Sequence, residues 1–83
     1  MSRGTRRIPV ESTSLASVGF SLEHNVLEIE FRNGLVYQYF GVPRALYEQL
    51  LAAESKGKFM NRFIRRGFPQ QRIERLRPSE LTQ

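Results

Sequence analysis

The sequence predicts an α+β domain, a small antiparallel β-meander of about three strands followed by two short helices packed on one face of the sheet. Three observations carry this. Apolar and charged residues alternate strictly over residues 27–32, which is the period of a half-buried strand. Asn33-Gly34 follows at once, a pair that tolerates positive φ, before a β-branched and aromatic run resumes over residues 35–40. Beyond Val42-Pro43 the apolar residues recur at helical spacing in two stretches, the second reaching Ile64.

Residues 1–9 carry three arginines and no apolar periodicity, the pattern of a flexible basic arm. Residues 10–69 form the folded domain. Within them, residues 15–22 are small and β-compatible and end at Glu23-His24-Asn25, a polar cluster suited to a turn. The strand over residues 26–32 turns back into residues 35–40, and the register follows from burial. A two-residue loop would bring Gln38 onto the face of Leu27, Ile29 and Phe31. A three-residue loop, Arg32-Asn33-Gly34 with Gly34 as the left-handed bulge residue, instead aligns Leu35, Tyr37 and Tyr39 with that apolar set. The second register keeps one face uniformly apolar and is the one expected.

Pro43 suits a first helical position, where its missing N–H costs nothing. A helix over residues 43–53 gathers Leu46, Tyr47, Leu50 and Leu51 into one stripe and leaves Arg44 and Glu48 in water. Ser55-Lys56-Gly57 interrupts it. In the second helix Phe59, Met60, Phe63 and Ile64 share a face, with Lys58, Arg62, Arg65 and Arg66 opposite, and Gly67-Phe68-Pro69 ends it. Residues 70–83 form a basic C-terminal tail whose two apolar positions, Ile73 and Leu76, do not decide between helix and loop.

A chain of 83 residues supports one core, and a hydrophobic fraction of 40% with nine aromatics (six Phe, three Tyr) is enough to fold it. With no Cys the chain suits a reducing compartment. Its basic N-terminus leads into no apolar segment, so a soluble, cytoplasmic protein without membrane association is expected. Charge is placed unevenly: +3 over residues 1–7, −4 over residues 8–55 and +7 over residues 56–77, in a chain of net charge +5. That asymmetry is the footprint of a protein that meets phosphate or an acidic surface.

Catalysis finds no support in the pattern. The single histidine, His24, lies in a predicted turn, and Glu28 and Glu30 alternate with apolar residues as an ordinary solvent face does. No metal-ligand spacing is present, so neither metal nor cofactor nor small-molecule substrate is expected. Ser55-Lys56-Gly57-Lys58 sits before a helix start, where free N–H groups attract anions and lysines are locally unfavourable unless an anion intervenes. The competing reading is that Gly57 closes the first helix and Ser55 caps the second. Tyr37 and Tyr39 are of a type that stacks on unpaired bases, although the register places them in the core.

The central part of the chain resembles the KTSC domain, a module found at the C-terminus of some lysyl-tRNA synthetases and as small free-standing bacterial proteins. The resemblance rests on an ordered series: Ser12-Thr13-Ser14-Leu15, Val18-Gly19-Phe20, the Leu27 strand, Asn33-Gly34, Tyr37-Gln38-Tyr39, Val42-Pro43, Ala53-Glu54-Ser55-Lys56-Gly57, Phe59-Met60-Asn61 and Ile64-Arg65. Phe20, Phe59 and Phe68 stand where the family often has Tyr. RNA binding is the activity suggested for the family, and the resemblance implies it here. Together these readings lead to a non-catalytic module that grips nucleic acid phosphates with little sequence specificity, RNA ahead of DNA. Its expected contact residues are Lys56, Lys58, Arg62, Arg65, Arg66 and Arg72, with Tyr37 and Tyr39 as candidate stacking rings. The alternative is a protein-interaction module that self-associates or docks an acidic partner.

Overall fold

The alternation over residues 27–32 builds the middle strand of a five-stranded antiparallel sheet whose spatial order follows the chain. A computed structural model describes residues 6–73. Strands β1 (Arg7–Pro9), β2 (Leu15–Ser21), β3 (Val26–Phe31) and β4 (Val36–Phe40) precede helix α1 (Arg44–Ala52). Helix α2 (Lys56–Phe59) runs directly into a π-helical turn (Met60–Ile64), and strand β5 (Gln70–Ile73) returns to pair with β4.

The β3–β4 hairpin has the register that burial requires. Leu27 pairs with Tyr39 and Ile29 with Tyr37, so the apolar and aromatic residues share one face. Phe31 donates its N–H to the Leu35 carbonyl at 2.8 Å and closes the three-residue loop, in which Gly34 takes φ 92°, a conformation costly for any residue with a Cβ. In the β2–β3 turn Asn25 adopts φ 55°, which Asn tolerates better than most residues.

Leu50 from α1 and Met60 and Ile64 from the π turn pack with Leu15, Val18, Leu27, Ile29 and Tyr39 in a single core, so the helices cover the predicted face. Arg44 and Glu48 are exposed as expected and pair at 2.9 Å. Among the described residues no helix is long and apolar enough to cross a membrane.

Four expectations need correction. The meander has five strands rather than about three, because both edge strands come from segments poor in apolar residues. Arg7–Pro9, assigned to a flexible arm of residues 1–9, pairs with β2, and Gln70–Ile73, assigned to the unassigned tail of residues 70–83, pairs with β4. The remainder of both segments, apart from Arg6, lies outside the described residues. Phe63 does not join the buried stripe: it is 51% exposed, while Met60 and Ile64 are buried. The Arg65 N–H bonds to the Met60 carbonyl at 2.7 Å, and this wider turn lets residues four apart, Met60 and Ile64, face the core while Phe63 lies on the flank against Phe59. Finally, Glu28 is no plain solvent-face residue, being only 1% exposed.

The burial of Glu28 has a local cause. Arg7 pairs across β1–β2 with Gly19, and Gly19 pairs with Glu28. Because Gly19 has no side chain, the Arg7 guanidinium crosses it, donating to the Glu28 carboxylate and, at 3.0 Å, to the Ser17 hydroxyl. Ser17 donates to Glu30 at 2.8 Å, and the Gln38 amide donates to Glu28 at 3.1 Å. The sheet face away from the helices is thus organised by a charge-assisted polar network.

Candidate nucleic-acid interface

Antiparallel partners point to the same side of a sheet, so β5 extends the aromatic face of β4. Arg72 pairs with Tyr37 and Gln70 with Tyr39, and both β5 residues are exposed. Tyr39 is 1% exposed and belongs to the core, whereas Tyr37 is half-buried. The Tyr37 ring is held edge-on against Phe31 at 5.9 Å and lies 6.3 Å from the Tyr39 ring.

Above these rings the residue after the π turn supplies the cation. Arg65 donates to the Asn61 side-chain oxygen at 3.1 Å, which fixes its direction. It also acts electrostatically on Tyr39. Burial pushes the Tyr39 phenol above its ordinary value, the nearby Arg65 guanidinium opposes that rise, and Tyr37 adds to it. Arg65, Arg32, Tyr37 and Gln70 line a cleft of about 370 Å³ that opens beside the hairpin loop. Arg65 and Gln70 also line an adjoining cleft of about 680 Å³ with Arg66 and Asn61. Among the described residues no carboxylate lines either one.

The structure therefore divides the predicted cations. Arg65 shares the first cleft with Tyr37 and Gln70, Arg66 lines the adjoining one beside Gln70, and Arg72 stands across from Tyr37 in the β4–β5 register without lining either cleft. Lys58 and Arg62 line neither cleft, and the Arg62 guanidinium lies 5.8 Å from the Phe63 ring centroid. The Lys56 ammonium donates to the Ala53 carbonyl at 3.0 Å, where it complements the negative end of α1. It lines a separate cleft with Glu11 and Glu54. This contact accounts for a lysine at the start of α2 without an anion. Ser55 caps α2, its hydroxyl accepting the Lys58 N–H at 3.4 Å. Gly57 does not close α1, which ends at Ala52 with Ala53 as its C-cap; it lies inside α2, where a Cβ would stand 2.7 Å from the Ser14 hydroxyl oxygen.

Sequence reasoning passed over Arg32 and Gln70. Arg32 belongs to the hairpin loop, and its Nε donates to the Ser12 carbonyl at 3.1 Å. Gln70 acquires its place only through the pairing of β5. His24 is exposed and lies 3.7 Å from Glu23, and among the described residues no three His, Asp or Glu side chains gather into a possible metal-binding cluster.

The family model described as KTSC domain matches residues 11–68. The chain belongs to the KTSC domain family. A crystal structure of a KTSC domain protein from Yersinia pestis superposes with a TM-score of 0.80 at 36% identity, covering 86% of this chain and all of the other. A protein from Tsukamurella paurometabola is 37% identical over 60 residues, 72% of this chain and 90% of that protein. A lysine–tRNA ligase from Nostoc punctiforme is 38% identical over 58 residues, 70% of this chain but 10% of the ligase. In this KTSC domain Tyr37 and Arg65 fall inside the matched segment, while β1 and β5, and with β5 Arg72, lie just outside it.

Proposed function

We propose that this KTSC domain is a non-catalytic RNA-binding module acting in the cytoplasm, and that it engages single-stranded phosphates through Arg65, Arg66 and Arg72 beside the Tyr37 ring. The observation that carries the reading is that Arg65 and Arg66 line two adjoining clefts, with Arg72 across from Tyr37 at the same sheet edge, and that no carboxylate among the described residues lines either cleft. A positive groove beside a partly exposed ring is the common form of single-strand recognition, in which phosphates supply affinity and a stacked base adds about 1–3 kcal/mol. The relation to a segment of a lysine–tRNA ligase is in keeping with an RNA partner. It carries less weight than the geometry, since a shared module does not by itself transfer an activity. Lys58 and Arg62 would contribute long-range attraction, and Lys56, bound to Ala53 and flanked by Glu11 and Glu54, little.

The test is binding of short single-stranded RNA as a function of salt. With about four phosphates neutralised, log K should fall against log salt with a slope of roughly −3. Replacing Arg65, Arg66 and Arg72 together by Gln should flatten that slope by about two units while thermal unfolding stays unchanged, because all three side chains are exposed. One feature favours a second reading, the docking of an acidic protein: Phe63 is half-exposed with Arg62 beside it. That reading takes over if the parent fails to bind RNA at low salt while Phe63→Ala abolishes capture of an acidic, aromatic-rich peptide.

A further inference from the structure

We infer that the cleft between the hairpin loop and Arg65 holds one unpaired nucleotide of the bound strand, so that the domain reads base identity at a single position. The inference rests on the RNA-binding reading and adds specificity to it. At about 370 Å³, the cleft lies at the small end of the range that accommodates small-molecule ligands, a size suited to one nucleotide rather than a stacked run.

Its floor is aromatic and fixed. Tyr37 is packed against Phe31 and close to Tyr39, so stacking a base on its exposed part orders no mobile side chain. Two cations stand at its rim. Arg65 is held by Asn61, and Arg32 is held by donating Nε to the Ser12 carbonyl at 3.1 Å and Nη2 to the Val10 carbonyl at 3.5 Å. A guanidinium has more N–H groups than those bonds use, so Arg32 keeps donors for a phosphate.

Two amides also line the cleft. The Asn33 side-chain oxygen accepts the Leu35 N–H at 3.0 Å, which fixes the orientation of its amide and leaves the NH2 as donor. Gln70, exposed next to Tyr39, brings a second amide with both a donor and an acceptor. Phosphate contacts carry no base identity. An oriented amide does, because base edges differ in their donor and acceptor patterns.

The experiment uses the full chain and fluorescently labelled single-stranded RNA homopolymers of equal length, read by anisotropy across a salt series. The parent should discriminate among the homopolymers by about tenfold. Tyr37→Leu should weaken binding of the preferred homopolymer by about tenfold and leave the salt slope unchanged, whereas Tyr37→Phe, which keeps the ring, should bind like the parent. Gln70→Ala should level the preference without altering the slope. If the parent binds with a steep salt slope while Tyr37→Leu and Gln70→Ala change neither affinity nor preference, the cleft is not the site, although RNA binding stands. If the parent binds no RNA at low salt, both proposals fall. Should Tyr37→Leu fail to fold, the ring resonances of Tyr37 in the parent decide: they must shift on addition of the preferred homopolymer, and unshifted resonances overturn the inference.

Discussion

Replacing Gly57 by Ala should destabilise the domain, even though Ala is the better helix former. Gly57 lies in the first turn of α2, so the substitution alone would add up to about 1 kcal/mol of helix propensity. Against this stands the neighbouring turn. A Cβ at position 57 would meet the Ser14 hydroxyl oxygen at 2.7 Å and the Ser14 Cβ at 3.0 Å. The hydroxyl can rotate away. The Ser14 Cβ is fixed by its backbone, whose N–H donates to the Ser12 hydroxyl at 3.1 Å and whose carbonyl accepts the Arg32 N–H at 2.9 Å. Overpacking of this kind costs about 1–3 kcal/mol, and its middle value leaves a net loss of about 1 kcal/mol after the propensity gain is deducted. For a domain of this length that lowers Tm by about 4–8 °C. In a Ser14→Gly background both obstructing atoms are gone, and the same Gly57→Ala change should stabilise by up to about 1 kcal/mol. Thermal and urea unfolding of the four proteins form a double-mutant cycle with an expected coupling of about 2 kcal/mol. Equal effects of Gly57→Ala in both backgrounds would refute the contact, and with it the account of why Ser14 and Gly57 belong together.

Other expectations follow from the same packing. Ile64→Ala, at a fully buried position, should cost about 2–5 kcal/mol, while the half-exposed Phe63→Ala should cost only about 1–2 kcal/mol; urea midpoints in the reverse order would contradict the π-turn geometry. Glu28→Ala removes the acceptor of both Arg7 and Gln38 and should cost about 1–3 kcal/mol, and an unchanged urea midpoint would mean that the network is decorative. Because the Tyr39 pKa is raised above 10.0 mainly by burial, the folded state holds this proton more tightly than the unfolded chain. Stability should therefore be level below the unfolded value near 10 and fall as pH rises through the folded one. Tyr39→Phe should remove that alkaline loss. Arg65→Gln should raise the Tyr39 pKa further, as read by ultraviolet titration, and a downward shift would show that Arg65 does not face the ring.

The hairpin was legible because one rule decided it. Only the three-residue loop buries a single apolar face, and the Gly34 bulge, the position of Tyr39 and the alignment of Leu27 with its partners all follow from that. The helix stripe around Leu50 was equally readable from spacing. The edge strands were not. Arg7–Pro9 and Gln70–Ile73 have almost no apolar alternation, since each lies at an edge and draws its order from backbone pairing, β1 with the next strand in the chain and β5 with a strand more than 30 positions away. Phe63 was misplaced because a 3.6-residue period does not anticipate a π turn. Glu28 looked like a solvent-face residue because alternation shows which way a side chain points and not what lies over it. At the candidate site the charge run points to a segment, but the side chains within it are sorted by contacts that spacing does not contain, notably Lys56 with Ala53 and Arg65 with Asn61.

The topology also explains how a chain with an acidic middle presents a basic edge. Glu28 and Glu30 lie on β3 and point away from the helices, engaged with Arg7 and Ser17. Glu48 is paired with Arg44 on α1, and Glu11 and Glu54 share the cleft of Lys56. Described carboxylates of the acidic stretch are thus turned to the far face, paired locally or set beside Lys56. Meanwhile the antiparallel return of β5 lays the late, basic part of the chain against β4, so Arg72 arrives beside Tyr37 although 35 positions separate them. The π turn brings Arg65 over the same edge. A merely solvated basic segment would have no reason to converge on the one partly exposed tyrosine of the sheet, and that convergence favours a ligand carrying both negative charge and an aromatic face. A nucleotide strand has both, whereas an acidic peptide has the second only where aromatic residues happen to fall. The two predict different competitors: polyglutamate should displace a partner held by charge alone, but at equal charge it should displace RNA from this edge less effectively than a second RNA strand does.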